Sequence, residues 1–212
     1  MMNSLADPKI SGLLKQLQNE AAGDAERWAK RSVQQQQNPS GVDSLIRMGE
    51  FYLGVSTAEG RLLYMLARSS NATQIIEFGA SYGISTLYLG AAARDNGGSL
   101  ITTEVHPDKC KATRKLIDEA GLAEHVTLLE GDALETLKNL IDNVNMLFLD
   151  GWKGLYLPML KLIRPHLRPG SLVVADNVDH QAAQPYVEAI QAEDSGFVTA
   201  TLGDMELSCW SG

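Results

Sequence analysis

The chain has 212 residues, 44% of them apolar and 21% charged, which places it among globular proteins of one domain able to bury a full core without disulfide or metal staples. Its formal net charge of −8 repels a nucleic-acid backbone, and with no basic stripe in the sequence nucleic acid is excluded as a partner. Cys110 and Cys209 stand alone, without a CxxC or histidine-rich neighbourhood, and no run of about 18 apolar residues or export-type N-terminus is present, so a soluble, cytoplasmic protein with packing cysteines and no membrane partner is expected.

Residues 8 to 70 carry apolar residues at helical spacing. Two helices are predicted from "ISGLLKQLQNEA" and "AERWAKRSVQQQQ", the second broken by "NPSG" at Asn38 to Gly41. Ser56 and Glu59 have the spacing of a capping box and open a third helix that runs to about Ser69. Trp28 and Tyr52 are read as core aromatics ahead of the alternative that they shape a ligand pocket. Residues 1–55 are thus read as a helical segment and 56–212 as the main domain.

From Thr73 onward apolar strands alternate with helices. "QIIEFG" precedes a helix from Ser85, "SLITTE" one from Pro107, "HVTLLEGD" one from Ala133, "VNMLFLD" one from Gly154, and "SLVVAD" one from Gln181. Continuous apolar strands joined by helices predict right-handed crossovers and a mainly parallel sheet with both faces covered. The last two runs, "GFVTATL" and "MELSCW", are separated only by Gly203 and Asp204. That spacing fits a hairpin, so the final strand is expected to run antiparallel to its neighbour.

The five parallel candidates end in Glu77, Glu104, Asp132, Asp150 and Asp176. In an open α/β sheet the carboxyl ends of the strands line the ligand crevice. One acid at a strand end is more often a cap for the next helix. Five together raise one another's pKa unless something positive sits among them, which predicts a cationic ligand, a metal ion, or both. In "EFGASYGIS", Gly79 and Gly83 would let the backbone approach a ligand, and Ser85 would add a hydroxyl to the free N–H groups of the helix start. The stretch is not a dinucleotide fingerprint, since Ser81 and Ile84 stand where glycines are required, and it has no Walker lysine. Glu104 follows Gly83 by about 20 residues, near the distance at which an acid grips ribose hydroxyls, which favours a nucleoside without a pyrophosphate. Asp150, Asp176 and Asn177 offer hard oxygen donors that suit Mg²⁺, and no His or Cys stands near enough in sequence to suggest zinc. For "ADNV" alone an Asx turn is an equal reading. Of the histidines, His106, His125 and His166 are read as surface or packing residues, and only His180 as facing an acceptor.

At these residues the sequence resembles the class I S-adenosylmethionine-dependent methyltransferases, and among them the metal-dependent catechol O-methyltransferases and the related caffeoyl-CoA O-methyltransferases. The likeness runs from about Gly54 to Val178 through "GVSTAEGRLL", "EFGASYGIS", "TTEVHPDK", "GDALETL", "FLDGWKGLYLP" and "ADNV". "DGWK" followed downstream by "ADN" is its most specific part. The resemblance implies a Rossmann-like, mainly parallel seven-stranded sheet with an antiparallel C-terminal strand, helices on both faces and extra N-terminal helices.

It also implies a site. Glu77, Gly79, Ser81, Tyr82, Gly83 and Ser85 would hold the methionine part of S-adenosylmethionine, with Ser85 and the backbone of Val55 at its carboxylate. Glu104 would bind the ribose hydroxyls with Val105 beside it, Asp132 and Ala133 would meet the adenine, and Asp150 and Trp152 would complete the cofactor pocket. Asp150, Asp176 and Asn177 would be the Mg²⁺ ligands and Lys153 the general base. A vicinal diphenol held by the ion would have one hydroxyl acidified. Lys153 would accept that proton, and the oxygen would take the sulfonium methyl in line, with positioning contributing up to roughly 7–11 kcal/mol. The implied activity is an Mg²⁺-dependent O-methyltransferase of catechol-type small molecules. Alternatives are a methyltransferase for another phenol, a hydroxylated amino acid or a natural-product intermediate, and a non-catalytic nucleoside-binding module. Gly151 replaces a bulkier residue of the mammalian enzyme, so one pocket wall is expected to be open; Glu206 is not matched to the family's acidic acceptor contact. The N-terminal helices would cover the site or build a homodimer interface.

Overall fold

The computed structural model describes residues 3–30, 48–139 and 143–212. The predicted continuation of the second helix to Gln37 and its break at Asn38 to Gly41 lie outside these residues. The described helices are α1 (Pro8–Ala21), α2 (Asp24–Lys30), α3 (Thr57–Ser69), α4 (Ile84–Asp95), α5 (Pro107–Glu119), α6 (Ala133–Thr136), α7 (Tyr156–Ile163) and α8 (Gln184–Gln191). The strands are β1 (Gln74–Phe78), β2 (Ser99–Glu104), β3 (Val126–Glu130), β4 (Val144–Leu149), β5 (Leu167–Ala175), β6 (Phe197–Leu202) and β7 (Met205–Trp210). Among the described residues no helix is long and apolar enough to cross a membrane.

The seven strands form one sheet in the order β3-β2-β1-β4-β5-β7-β6. β1 to β5 pair in parallel, and β7 runs antiparallel to both β5 and β6. This is the predicted sheet, including its reversed last strand. Alternate residues of each central strand feed opposite layers. Ile75, Met146 and Val174 join a cluster with Ile10 and Leu14 of α1, Leu63 of α3 and Leu87 of α4. Ile76, Leu147 and Val173 join a second cluster with Met159 of α7 and Ile190 of α8. A strand buried on both faces cannot alternate apolar with polar, which is why each reads as an unbroken apolar run.

Boundaries differ from the sequence expectation in three places. β5 begins at Leu167 rather than Ser171, because the chain enters pairing beside Val144 before a register shift. α7 begins at Tyr156 after a short 3₁₀ turn over Lys153–Leu155, and α8 at Gln184 after another over Gln181–Ala183. Both helices are thus entered through a tighter turn that re-aims the chain at the sheet edge. The predicted capping box is present: the Ser56 hydroxyl accepts from Glu59 N at 3.3 Å and Ser56 N donates to Glu59 Oε2 at 2.6 Å. Trp28 departs from the expected core role. It is 44% exposed and meets Phe51 edge-on, because α2 buries none of its residues.

Candidate active site

The strand order reverses between β1 and β4, since β2 continues on one side of β1 and β4 on the other. Such a switch point opens a crevice at the carboxyl ends of the strands. Register decides what stands there. Phe78 pairs with Thr103 and with Leu149, and Leu149 pairs with Ala175, so the next residues, Gly79, Glu104, Asp150 and Asp176, form one row. They border a cavity of about 1030 Å³, at the upper end of the roughly 300–1,000 Å³ usual for ligand sites and large enough for two small ligands side by side.

Gly79, Ser81, Glu104, Val105, Asp132, Ala133, Asp150, Trp152, Lys153, Asp176 and Asn177 all line that cavity. Val55, Glu77, Tyr82, Gly83 and Ser85 lie outside its lining. Glu77 is fully buried beneath the cavity, where Oε2 accepts from Thr86 Oγ1 at 2.6 Å and Oε1 has no partner among the described residues. Burial pushes its carboxyl up, against the Ser85, Thr102 and Thr86 hydroxyls nearby. Ser85 is buried in the first turn of α4, and Val55 is buried with its carbonyl accepting from Gln18 Nε2 at 2.9 Å. Tyr82 OH donates to Gly49 O at 2.7 Å.

Two glycines shape the loop after β1, of which Gly79 lines the cavity. Gly79 (φ +100°) would place a Cβ 2.8 Å from Asp150 O and from the Gly151 backbone, and Gly83 (φ +88°) one 2.5 Å from Leu116 Cδ2. Both conformations and both contacts exclude side chains. Glu104 is set by backbone: Oε2 accepts from Ser81 N at 2.8 Å, and Oε1 from Val105 N and His106 N, each at 2.8 Å. A carboxylate has about four acceptor positions, so capacity for a ribose hydroxyl remains. Asp132 Oδ1 accepts from Leu134 N at 2.9 Å, so this acid caps α6 and borders the cavity at once.

On the other side of the switch point, Lys153 Nζ stands 3.1 Å from Asp150 Oδ1, with side chains 17% and 9% exposed. At that burial the pair is no solvated surface bridge. Burial lifts the Asp150 carboxyl to about 6 despite Lys153. Burial, and then Asp150 itself, lifts Asp176 to about 7. Asn177 adopts φ +53°, and its Nδ2 approaches Asp204 Oδ2 at 3.4 Å. Tyr156 OH donates to Asp176 O at 2.9 Å and fixes that strand end.

Two buried acids with raised pKa values and one lysine make a site short of positive charge. Among the described residues no three His, Cys, Asp or Glu side chains converge as a metal-binding group. The donors here are two carboxylates and an amide, oxygen chemistry that fits Mg²⁺ and not zinc.

Several cavity residues were not legible in the sequence. Lys109, Glu59, His106 and Asp204 line it, His106 in place of the surface or packing role expected for it. Lys109 is 4% exposed, donates to Ser81 Oγ at 2.9 Å, and has its pKa lowered by burial. From the C-terminal hairpin, Asp204 reaches the cavity while Glu206 is buried against Thr201 and Gln191. His180 borders the cavity as expected. The opening expected at Gly151 is filled: a Cβ there would stand 2.5 Å from the Phe78 ring, which occupies that wall.

Comparison with known proteins agrees with this geometry. A family model described as "Methyltransferase domain" matches residues 76–178. The chain is 33% identical over 158 residues to a catechol O-methyltransferase of Niastella koreensis, covering 69% of this chain and 71% of that one. It is 31% identical over 170 residues to the catechol O-methyltransferase of Mus musculus, covering 74% of this chain; the match spans 64% of the mouse protein, just under two-thirds of its length. Among solved structures, the O-methyltransferase TomG from Streptomyces achromogenes, involved in tomaymycin synthesis and crystallised in complex with SAM, superposes with a TM-score of 0.69 at 25% identity, covering 92% of this chain and 98% of that one. With these relatives and this row of strand ends, the chain belongs to the catechol O-methyltransferase and caffeoyl-CoA O-methyltransferase family of methyltransferases.

Proposed function

We propose that the protein is an S-adenosylmethionine-dependent O-methyltransferase that methylates one hydroxyl of a vicinal diphenol, with a divalent ion, Mg²⁺ by its donor set, at Asp150, Asp176 and Asn177. One observation carries the reading: Lys153 Nζ lies 3.1 Å from Asp150 Oδ1 in the cavity lining, so that a proton acceptor and a cation-binding carboxylate address the same point. When bound, S-adenosylmethionine supplies the electrophilic methyl on its sulfonium and the ion a Lewis acid for the acceptor hydroxyls.

The chain's own residues do the rest. Glu104, held by three backbone N–H groups, orients the ribose, and Gly79 lets the methionine end pass close to the backbone. Asp132 and Ala133 border the adenine end, and Trp152 packs along the cofactor. Lys153 takes the acceptor proton at Nζ. Holding oxygen, carbon and sulfur in near-attack geometry supplies most of the acceleration.

A diphenol panel with labelled cofactor, run with Mg²⁺ and with chelator, tests this. Metal-dependent monomethylation confined to vicinal diols is expected. Methylation that survives exhaustive chelation, or S-adenosylmethionine binding with no transfer to any acceptor, overturns it.

A further inference from the structure

One wall of the cavity is made by Leu53 and Gly54, residues that belong to no helix or strand. Leu53 adopts φ +47°, a left-handed conformation that residues with a side chain avoid. Its side chain is 49% exposed, so burial does not hold it there. Hydrogen bonds from the N-terminal helices do. Asp24, at the start of α2, accepts from Tyr52 N at 2.9 Å and from Leu53 N at 3.0 Å through Oδ2, while its Oδ1 takes Arg27 Nη1 at 2.6 Å.

The neighbouring peptides are held from both sides. On the outer side Tyr52 OH donates to Glu20 at 2.6 Å. On the inner side the Tyr52 ring stacks on Tyr82 with centroids 4.4 Å apart, and Tyr52 O accepts from Ser81 Oγ at 2.6 Å. The wall is thereby slung between α2 and the glycine loop after β1.

We propose that Asp24 is a positioning residue for cofactor binding. It does not line the cavity; it acts by fixing the left-handed turn at Leu53 that sets Leu53 and Gly54 in the cavity wall, at the end where the methionine part would lie. The inference rests on the S-adenosylmethionine reading above and extends it to a residue outside the matched region 76–178.

The test is a double-mutant cycle of Asp24→Ala and Leu53→Gly, read by calorimetric Kd for S-adenosylhomocysteine, with KM and kcat measured on the acceptor found above. Glycine takes the left-handed turn without help. Asp24→Ala alone is expected to raise Kd roughly tenfold with kcat at saturating cofactor within about twofold, whereas in the Leu53→Gly background the same substitution raises Kd less than about threefold. An unchanged Kd for Asp24→Ala, or an equal loss in both backgrounds, overturns the proposal. Should Asp24→Ala fail to fold by circular dichroism, Asp24→Leu, which keeps the side-chain bulk and removes both acceptor oxygens, takes its place with the same two readings. Wild-type protein that binds S-adenosylhomocysteine but shows no coupling sinks only this inference. Wild-type protein that binds none sinks the parent reading as well.

Discussion

Replacing Lys153 by methionine keeps the length of the side chain and its packing near the Tyr156 ring, 5.3 Å from Nζ, while removing the charge that faces Asp150. If Lys153 is the proton acceptor, kcat should fall by about 10²–10⁴-fold, with S-adenosylhomocysteine affinity within about twofold by calorimetry. Equal losses in both would place Lys153 in binding rather than chemistry. Gly151→Ala is a test of a different kind. The added methyl meets the Phe78 ring at 2.5 Å, and overpacking of this sort costs about 1–3 kcal/mol, so a lower Tm is expected in a thermal melt. At this scale the sequence was informative wherever a functional group stands at a strand end, because apolar runs that stop at an acid are visible in one dimension. Phe78 behind Gly151, Lys109 behind Ser81 and Asp24 beneath Leu53 were not visible, since each pairing joins residues whose proximity only the folded chain creates.

Between elements, the N-terminal segment is tied to α4 by Arg94, which donates to Ser4 Oγ at 2.7 Å and pairs with Asp7 at 3.3 Å, and by the Asp95 carboxylate. Asp95, at the last turn of α4, accepts from Ser4 N at 2.9 Å, from the Ser4 hydroxyl, and from Tyr64 OH of α3 at 2.6 Å. Burial pushes this carboxyl up, but those donors outweigh it and leave it below its ordinary value. A group depressed in the folded state contributes stability that is full above its unfolded pKa and is lost as pH falls through the folded one. Wild type should therefore lose Tm below about pH 4 more steeply than Asp95→Asn, read by thermal melts across that range. A capping box makes a further prediction for α3: Ser56→Ala leaves Glu59 N without its acceptor and should cost about 1 kcal/mol in a denaturant melt. The box was readable from four consecutive residues. The late starts of α7 and α8 were not, because a 3₁₀ turn and the first α turn have nearly the same residue preferences.

For the whole molecule, the sheet order was legible as a class and not as a sequence of neighbours: alternation of apolar strands and helices implies parallel crossovers, but it does not say where the order reverses. The reversal between β1 and β4 is what gathers acids from β2, β4 and β5 around one cavity. If an ion stabilises that gathering, saturating Mg²⁺ should raise stability by about 2.7 kcal/mol at one hundred times its Kd. Asp176→Ala should remove the rise in Tm, and an undiminished rise would move the ion elsewhere.

Gly79 joins the two halves of that cavity more tightly than a shared wall would. Its Cα packs against the peptide of Asp150 and Gly151 so closely that not even a methyl fits between them, and Asp150 N donates back to Phe78 O at 3.0 Å. A shift of either loop is expected to displace the other. If the ion and nucleoside proposed above occupy the two halves, each should change its companion's affinity by an identical factor, whichever is titrated first.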